Sequence, residues 1–196
     1  MNPARDIRHA VTDAGALDIA RWLAPPDAVD QSVLDRCVGP VLDVGCGPGR
    51  FVSALSFRGV ACLGVDISET AVVLARGQGF PALLRSVFGV LPGEGRWPTV
   101  LLMDGNIGIG GDPLRLLERI ARLLQARGEV IVEVTATDDI DEVVEVCFTD
   151  NGAQVGPAFA WAAVGLPALS RYAMDAGYTV GETWTAGGRT FVVLAR

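Results

Sequence analysis

The chain has 196 residues, of which 50% are hydrophobic, and it carries a formal net charge of −7. This length favours one domain, the acidic charge disfavours a nucleic-acid-binding surface, and no apolar run approaches the length of about 18 residues needed to span a bilayer. The charged N-terminus lacks the apolar centre of a secretory signal, so we expect a cytoplasmic protein. The four cysteines form no C-x-x-C pair and there is one histidine, which argues against a zinc site or a disulfide framework.

The predicted elements begin with an N-terminal flank at residues 1–40, which holds candidate helices at 17–23 and 30–37 on either side of a Pro-Pro break. We interpret this flank as a helical lid on a core at 41–196, so that residues 1–196 form a single domain. In the core, short apolar runs alternate with segments of helical spacing. Strands are predicted at 41–44, 61–65, 82–85, 99–103 and 129–134, and helices at 50–57, 68–78 and 112–124.

This alternation predicts a doubly wound α/β fold with a mostly parallel, Rossmann-like sheet. After a candidate helix at 164–176, two β-rich runs at 179–185 and 189–194 are separated by Ala-Gly-Gly, which is typical of an antiparallel hairpin. We therefore expect the sheet to be mixed at one edge. Residues 142–161 are compatible with one or two additional strands.

The segment 41–50, VLDVGCGPGR, runs from a strand through three alternating glycines into a helix. Glycines adopt backbone angles that other residues avoid, and they let a ligand lie against the main chain. The segment resembles motif I of class I S-adenosylmethionine-dependent methyltransferases. The likeness extends less specifically over about residues 17–196, and it is closest to small bacterial methyltransferases of undefined substrate. A dinucleotide site is disfavoured, because its G-x-G-x-x-G spacing differs from the G-x-G-x-G found here.

The resemblance implies that S-adenosylmethionine is the cofactor and that a small-molecule acceptor receives its methyl group. In the family the glycine loop surrounds the methionine part of the cofactor, which assigns four residues to that pocket. They are Asp43, Gly45, Gly47 and Gly49.

Three further positions extend the implied cofactor site towards the ribose and the adenine. Asp66, with Ile67 beside it, ends the second predicted strand, where an acidic side chain can accept hydrogen bonds from both ribose hydroxyls. The other interpretation of Asp66 is a cap for the helix at 68–78. By resemblance, Ser86 contacts the adenine amino group in place of the usual aspartate, and the backbone N–H of Val87 meets a ring nitrogen.

Residues 103–112, MDGNIGIGGD, follow the fourth predicted strand and contain four glycines. Such a loop lies at the carboxyl edge of the sheet, where α/β proteins bind ligands. By resemblance Asp104 and Asn106 face the methionine end of the cofactor or the acceptor, and they are our candidate catalytic residues. The alternative is that both only stabilise turns through bonds to the backbone.

The remaining candidates concern the rim of the site. Trp22 and Trp161 are candidate aromatic walls, and Arg21 is a candidate partner for the cofactor's carboxylate or for an acidic neighbour. We interpret the acidic run at 138–145 as a solvated face and expect no metal site.

Methyl transfer requires in-line positioning and exclusion of water, so the sequence need not contain a catalytic triad. The alternative function is that of a non-catalytic S-adenosylmethionine-binding or interaction protein. The replacement of aspartate by Ser86 and the lack of an evident base are compatible with that alternative.

Overall fold

The computed structural model describes residues 9–12, 15–16, 19–136, 139–150 and 153–196. Its strands are β1 His9–Thr12, β2 Gly15–Ala16, β3 Val41–Val44, β4 Cys62–Asp66, β5 Ala82–Leu84, β6 Trp97–Leu102, β7 Leu124–Val134, β8 Asp141–Asp150, β9 Ala153–Val164, β10 Thr179–Ala186 and β11 Arg189–Ala195. Its α-helices are α1 Ile19–Leu23, α2 Ala28–Leu34, α3 Arg50–Phe57, α4 Glu69–Gly77, α5 Pro113–Leu123 and α6 Leu166–Asp175.

The main sheet has seven strands in the order β10-β11-β7-β6-β3-β4-β5. Strands β3 to β7 run parallel, whereas β11 is antiparallel to both β7 and β10. The predicted Rossmann-like sheet with an antiparallel hairpin at one edge is therefore confirmed. The chain order changes direction at β3, which pairs with β4 on one side and β6 on the other, and such a switch point opens a crevice at the carboxyl ends of the strands.

Helices cover both faces of this sheet. Because side chains alternate along a strand, Leu42 and Val44 of β3 belong to the core formed with α5 and α6. Val41 of the same strand belongs to a second core, which includes Phe51 and Leu55 of α3. We call the latter side the α2–α3 face, since Val33 and Leu34 of α2 also pack there.

The strand before the antiparallel edge is longer than the predicted 129–134. Strand β7 already begins at Leu124, which pairs with Trp97, and the register shifts before Glu129 pairs with Thr99. Arg127 lies in this irregular part with φ of 63°. The early pairing therefore joins the end of α5 directly to the sheet through a distorted stretch that carries no regular alternation.

A second, four-stranded sheet has the order β2-β1-β8-β9. Its main component is the β8–β9 hairpin, which includes most of residues 142–161, where the sequence is compatible with one or two additional strands. An isolated bridge between Ile109 and Trp161 attaches β9 to the glycine-rich segment after β6. The second sheet thus lies at the carboxyl edge of the first.

The N-terminal flank contains both predicted helices in shortened form. Helix α1 begins at Ile19, and positions 17 and 18 of the predicted helix lie outside the described residues. Helix α2 begins after Asp27, whose side chain accepts from the Asp30 N–H while the Asp30 side chain accepts from the Asp27 N–H. This capping box explains why α2 starts two residues earlier than predicted. No helix in the described ranges is long and apolar enough to cross a membrane.

Candidate functional site

The backbone carbonyls at the start of the glycine loop after β3 are bonded by the side chain of Asn106. Gly45, Gly47 and Gly49 have φ of 72°, 54° and 95°, in the region that favours glycine. The Asn106 amide donates to the Val44 carbonyl at 2.8 Å and to the Gly45 carbonyl at 3.0 Å. A Cβ on Gly45 would lie 2.5 Å from Asn106 Nδ2, whereas a Cβ on Gly47 would meet nothing within 4 Å. Gly45 is thus required by its close contact with Asn106, whereas the space beside the backbone of Gly47 is open.

Asp66 at the end of β4 is joined to the same loop. Its carboxylate accepts from the Gly47 N–H and from the Ser68 N–H, both at 2.8 Å. Burial raises the pKa of Asp66, and the backbone hydrogen bonds oppose that rise. A carboxylate has about four lone-pair sites, so Asp66 retains capacity for further donors. Ser68 itself caps α4 by accepting from Ala71 N–H, and Ile67 between them is exposed.

Asp43 lies inside the sheet beneath the loop. It shares the α2–α3 face with Val41, is only 2% exposed, and its Oδ2 has no hydrogen-bond partner among the described residues. Burial raises the pKa of Asp43 to about 7; Arg50 opposes this rise, while Asp104 and Asp66 add to it. A buried polar atom without a partner is costly, so this oxygen is a strong candidate for contact with a bound donor.

Beyond Asp43, the α2–α3 face ends in a buried cluster of charges. Arg50 of α3 bonds both Asp30 of α2 and Asp104 after β6. Arg189 at the start of β11 bonds Asp30 at 2.7 Å and Glu133 of β7 through two contacts of 2.6 Å. Each arginine therefore bridges two carboxylates from different elements, which joins α2 to the carboxyl edge of the sheet.

Arg21 of α1 is the outermost cation of this cluster. It approaches Asp104 at 3.2 Å and Asp30 at 3.3 Å, and its side chain is 26% exposed, against 4% for Arg50 and 10% for Arg189. Asp30 and Asp104 already bond a more deeply buried arginine, whereas the exposed Asp27 lies 3.8 Å from Arg21. Of the two partners considered for Arg21 in the sequence, the structure shows the acidic neighbours.

Asp104 has an unusual backbone and a heavily paired side chain. Its φ is 53°, rare for a residue other than glycine, and its N–H donates to Glu133 Oε2 at 2.8 Å. Burial raises the pKa of Asp104; Arg50 and Arg189 counter this, whereas Glu133 adds to it. The net effect is a raised pKa, although both arginines occupy the carboxylate oxygens. Asn106, the second candidate catalytic residue, is buried against the glycine loop.

The positions predicted to meet adenine lie after β5. Ser86 is exposed and its hydroxyl accepts from the Phe88 N–H at 3.2 Å, whereas Val87 is 4% exposed. The Arg85 N–H donates to the Asp66 carbonyl at 2.9 Å, so this segment begins next to the end of β4. Asp43, Asp66, Ser86 and the glycine loop thus form a continuous path along the carboxyl edge.

The two candidate tryptophan walls lie in different places. A Cβ on Gly108 would be 2.6 Å from Trp161 Nε1, so the indole lies against the loop that follows Asp104. Trp22 instead lines a groove of about 920 Å³ with Pro48, Phe57 and other residues on the outer side of the glycine loop. That groove does not include Asp43 or Asp66, and we therefore locate the candidate site from the polar groups of the sheet edge.

The acidic run after β7 provides no assembled metal site within the described residues. Asp138 lies outside those residues. Asp141 of the same run accepts from Arg171 and Tyr172 of α6, and it therefore stabilises the attachment of that helix.

Sequence reasoning missed Asp30, Arg50, Glu133 and Arg189. A signal was present in each of the last two, because each is a charged residue on a strand face that also carries a residue of the α2–α3 core. Glu133 follows Ile131 by two residues, and Arg189 precedes Phe191 by two. A charge on such a face requires a partner of opposite sign.

A family model described as a methyltransferase domain matches residues 16–180. The chain belongs to this methyltransferase family. The match includes the glycine loop, the charge cluster except Arg189, and the β8–β9 hairpin. It identifies methyl transfer as the activity of the family. None of the curated proteins matches the sequence.

Solved structures of methyltransferases share the fold. An S-adenosylmethionine-dependent methyltransferase from Bacteroides fragilis, solved with S-adenosylhomocysteine, has a TM-score of 0.80 at 19% identity, covering 98% of this chain and 90% of that one. The 1,6-didemethyltoxoflavin N1-methyltransferase of Burkholderia thailandensis has a TM-score of 0.63 at 20% identity, with coverages of 86% and 75%. A methyltransferase from Methanosarcina mazei has a TM-score of 0.66 at 14% identity, with coverages of 88% and 99%.

Proposed function

We propose that this methyltransferase binds S-adenosylmethionine along the carboxyl edge of the main sheet and transfers its methyl group to a small-molecule acceptor. The observation that carries the proposal is the buried, unpartnered Oδ2 of Asp43 beneath the glycine loop. The α-ammonium of the cofactor supplies the donor which that oxygen lacks. The open space at Gly47 lets the methionine part lie against the backbone.

The other parts of the cofactor have matching groups. Asp66 accepts from the ribose hydroxyls with its remaining lone pairs, next to Ile67. Ser86 and the Val87 N–H meet the adenine. Arg21, the most exposed arginine of the cluster, binds the methionine carboxylate, because its two nearer partners, Asp30 and Asp104, each retain another arginine.

The bound cofactor supplies an electrophilic methyl group on its sulfonium, and the residues of this chain orient the reactants and exclude water. Asn106 fixes the glycine loop through two carbonyls. Asp104 positions Arg50 and Arg21 at the methionine end. Since its carboxylate is paired with arginines, we assign Asp104 to positioning the site, without a proton-transfer step.

The acceptor site is formed where the β8–β9 hairpin covers the loop after Asp104. Trp161 provides an aromatic wall there, with Phe159 edge-on to it at 6.2 Å between ring centroids. The N-terminal flank completes the enclosure within a single domain that acts in the cytoplasm. The Burkholderia thailandensis enzyme was solved with 1,6-didemethyltoxoflavin and S-adenosylhomocysteine bound, which supports a small-molecule acceptor for this chain.

Calorimetric titration with S-adenosylmethionine and S-adenosylhomocysteine tests the cofactor assignment. We expect Asp66→Asn to weaken binding by about 1–3 kcal/mol, the cost of leaving buried hydrogen-bond partners unmatched. This corresponds to a factor of about 5–150 in Kd. Glu69→Gln, an exposed change three residues further on, is the matched control and should bind as the unsubstituted protein does. Absence of binding by the folded, unsubstituted protein would overturn the assignment.

A further inference from the structure

A buried arginine lies under the segment that we assign to adenine. Arg119 of α5 is only 6% exposed. Its Nε donates to the Val87 carbonyl at 2.8 Å, and its Nη2 donates to the Gly89 carbonyl at 2.7 Å. The same Nη2 bonds Glu94, whose carboxylate also accepts from the Leu91 N–H at 3.1 Å. One guanidinium therefore fixes three points of a segment that forms no strand.

This arrangement sets the shape of a tight turn at residues 86–89. Within the turn, the Gly89 N–H donates to the Ser86 carbonyl at 3.0 Å and the Phe88 N–H donates to the Ser86 hydroxyl. The Val87 N–H has no acceptor within the described residues. Arg119 thus holds the carbonyl of Val87, while the N–H of the same residue is unpaired within the described residues.

Burying an arginine is unfavourable unless its donors are satisfied, so its position requires an explanation. Helix α5 does not need this charge for its own packing, because its apolar side chains Leu116, Leu117 and Ile120 are fully buried in the core. The contacts of Arg119 instead converge on the turn and its continuation. Its structural effect is therefore concentrated on one wall of the proposed cofactor site.

We propose that Arg119 is a positioning residue that fixes the turn at residues 86–89 and thereby determines selectivity for a 6-aminopurine. The proposal rests on the proposed function, since it concerns the adenine of the same cofactor. Adenine presents an acceptor at N1, which suits the Val87 N–H. A 6-oxopurine presents an N1–H donor there, which would face another donor. Selectivity consequently depends on the orientation of the Ser86–Val87 peptide group, which carries this N–H.

The test compares S-adenosylhomocysteine with its 6-oxo analogue S-inosylhomocysteine by calorimetry. In Arg119→Gln we expect the affinity for S-adenosylhomocysteine to fall about tenfold, the scale of one hydrogen bond, with little change for the analogue. The preference for the 6-amino ligand should fall by the same factor. Arg122→Gln, an exposed change on the same helix, should leave both affinities within about twofold, since only contact with the turn matters.

An equal loss for both ligands in Arg119→Gln would overturn the proposal, because a general structural role predicts no change in preference. If that variant does not fold, Glu94→Ala decides the question. It leaves Arg119 in place but removes its carboxylate partner, and it should reduce the preference in the same direction by a smaller factor. An unchanged preference in folded Glu94→Ala would overturn the proposal. Failure of the unsubstituted protein to bind either ligand would instead contradict the proposed function.

Discussion

The charge cluster makes a strong prediction for Asp30→Asn. The Asp30 side chain is 1% exposed and accepts from Arg50, from Arg189 at 2.7 Å and from the Asp27 N–H at 3.1 Å. Asparagine has the same shape, but it removes one negative charge and turns an amide NH2 towards a guanidinium. Removing one partner of a buried pair costs about 3–5 kcal/mol, because the opposite charge stays buried without compensation. We expect a loss of this size in the free energy of unfolding.

Urea unfolding at pH 7 measures this loss, and Glu182→Gln provides the matched control. Glu182 also accepts twice from one arginine, Arg36, but it is half exposed and its contribution is screened by solvent. We expect the control to lose only a small fraction of what Asp30→Asn loses. Equal losses in the two variants would refute the reasoning that burial makes the cluster important for stability.

Comparison of Asp30→Asn with the unsubstituted protein also gives a test of how stability depends on pH. Burial acts to raise the pKa of Asp30, but hydrogen bonds from Arg189 and Arg50 outweigh it and lower the pKa below 3.8. A lowered folded-state pKa contributes stability that is present above the unfolded-state value and is lost as pH falls through the folded-state value. The difference between Asp30→Asn and the unsubstituted protein should therefore be constant above about pH 4 and decrease only below it.

Two further predictions concern the glycine loop and the residue beneath it. Gly45→Ala and Gly47→Ala each introduce a strain of about 1–2 kcal/mol, because both positions have a positive φ. Only Gly45→Ala adds a clash with Asn106, so urea unfolding should show the greater loss of unfolding free energy for Gly45→Ala. Folded Gly47→Ala should lose affinity for S-adenosylhomocysteine, and unchanged affinity would contradict the proposed contact with its backbone. Burial raises the pKa of Asp43 to about 7, so the folded protein releases this proton near pH 7, whereas the unfolded chain releases it near pH 4. The free energy of unfolding therefore falls as pH rises between these two values. Asp43→Asn should reduce that fall in urea titrations at pH 5 and 8 while weakening ligand binding, and an unchanged pH slope would count against the assigned burial.

The sequence was most informative where local patterns decide the structure. The glycine spacing before Arg50 and the strand ending at Asp66 predicted the loop and its neighbour, and the structure places them in direct contact through the Gly47 N–H. Helix α5 begins within one residue of the predicted 112–124, because Asp112 caps it and Pro113 follows, and both act within one turn of the helix. The β8–β9 hairpin was less predictable, since its pairing with β1 joins distant parts of the chain.

The charge cluster could not be predicted as a unit from local patterns. Asp30 and Arg189 are separated by 159 positions, and their contact depends on β11 entering the sheet beside β7 in antiparallel register. A register shifted by one residue would turn Arg189 to the other face. The sequence can indicate that Glu133 and Arg189 need partners, but tertiary structure decides which partners they receive.

The balance of charge in this region connects stability with the proposed function. With Asp43 ionised, four carboxylates share the end of the α2–α3 face with three arginines: Asp30, Asp43, Asp104 and Glu133 with Arg21, Arg50 and Arg189. A proton on Asp43 reduces this excess at pH below about 7. In the proposed complex, the cofactor's ammonium beside Asp43 would favour the ionised form of this carboxyl. Burial is the main cause of the raised pKa of Asp43, the carboxylates of Asp104 and Asp66 add to it, and burial also leaves Oδ2 without a partner among the described residues, so a donor that reaches this oxygen is expected to lower the pKa.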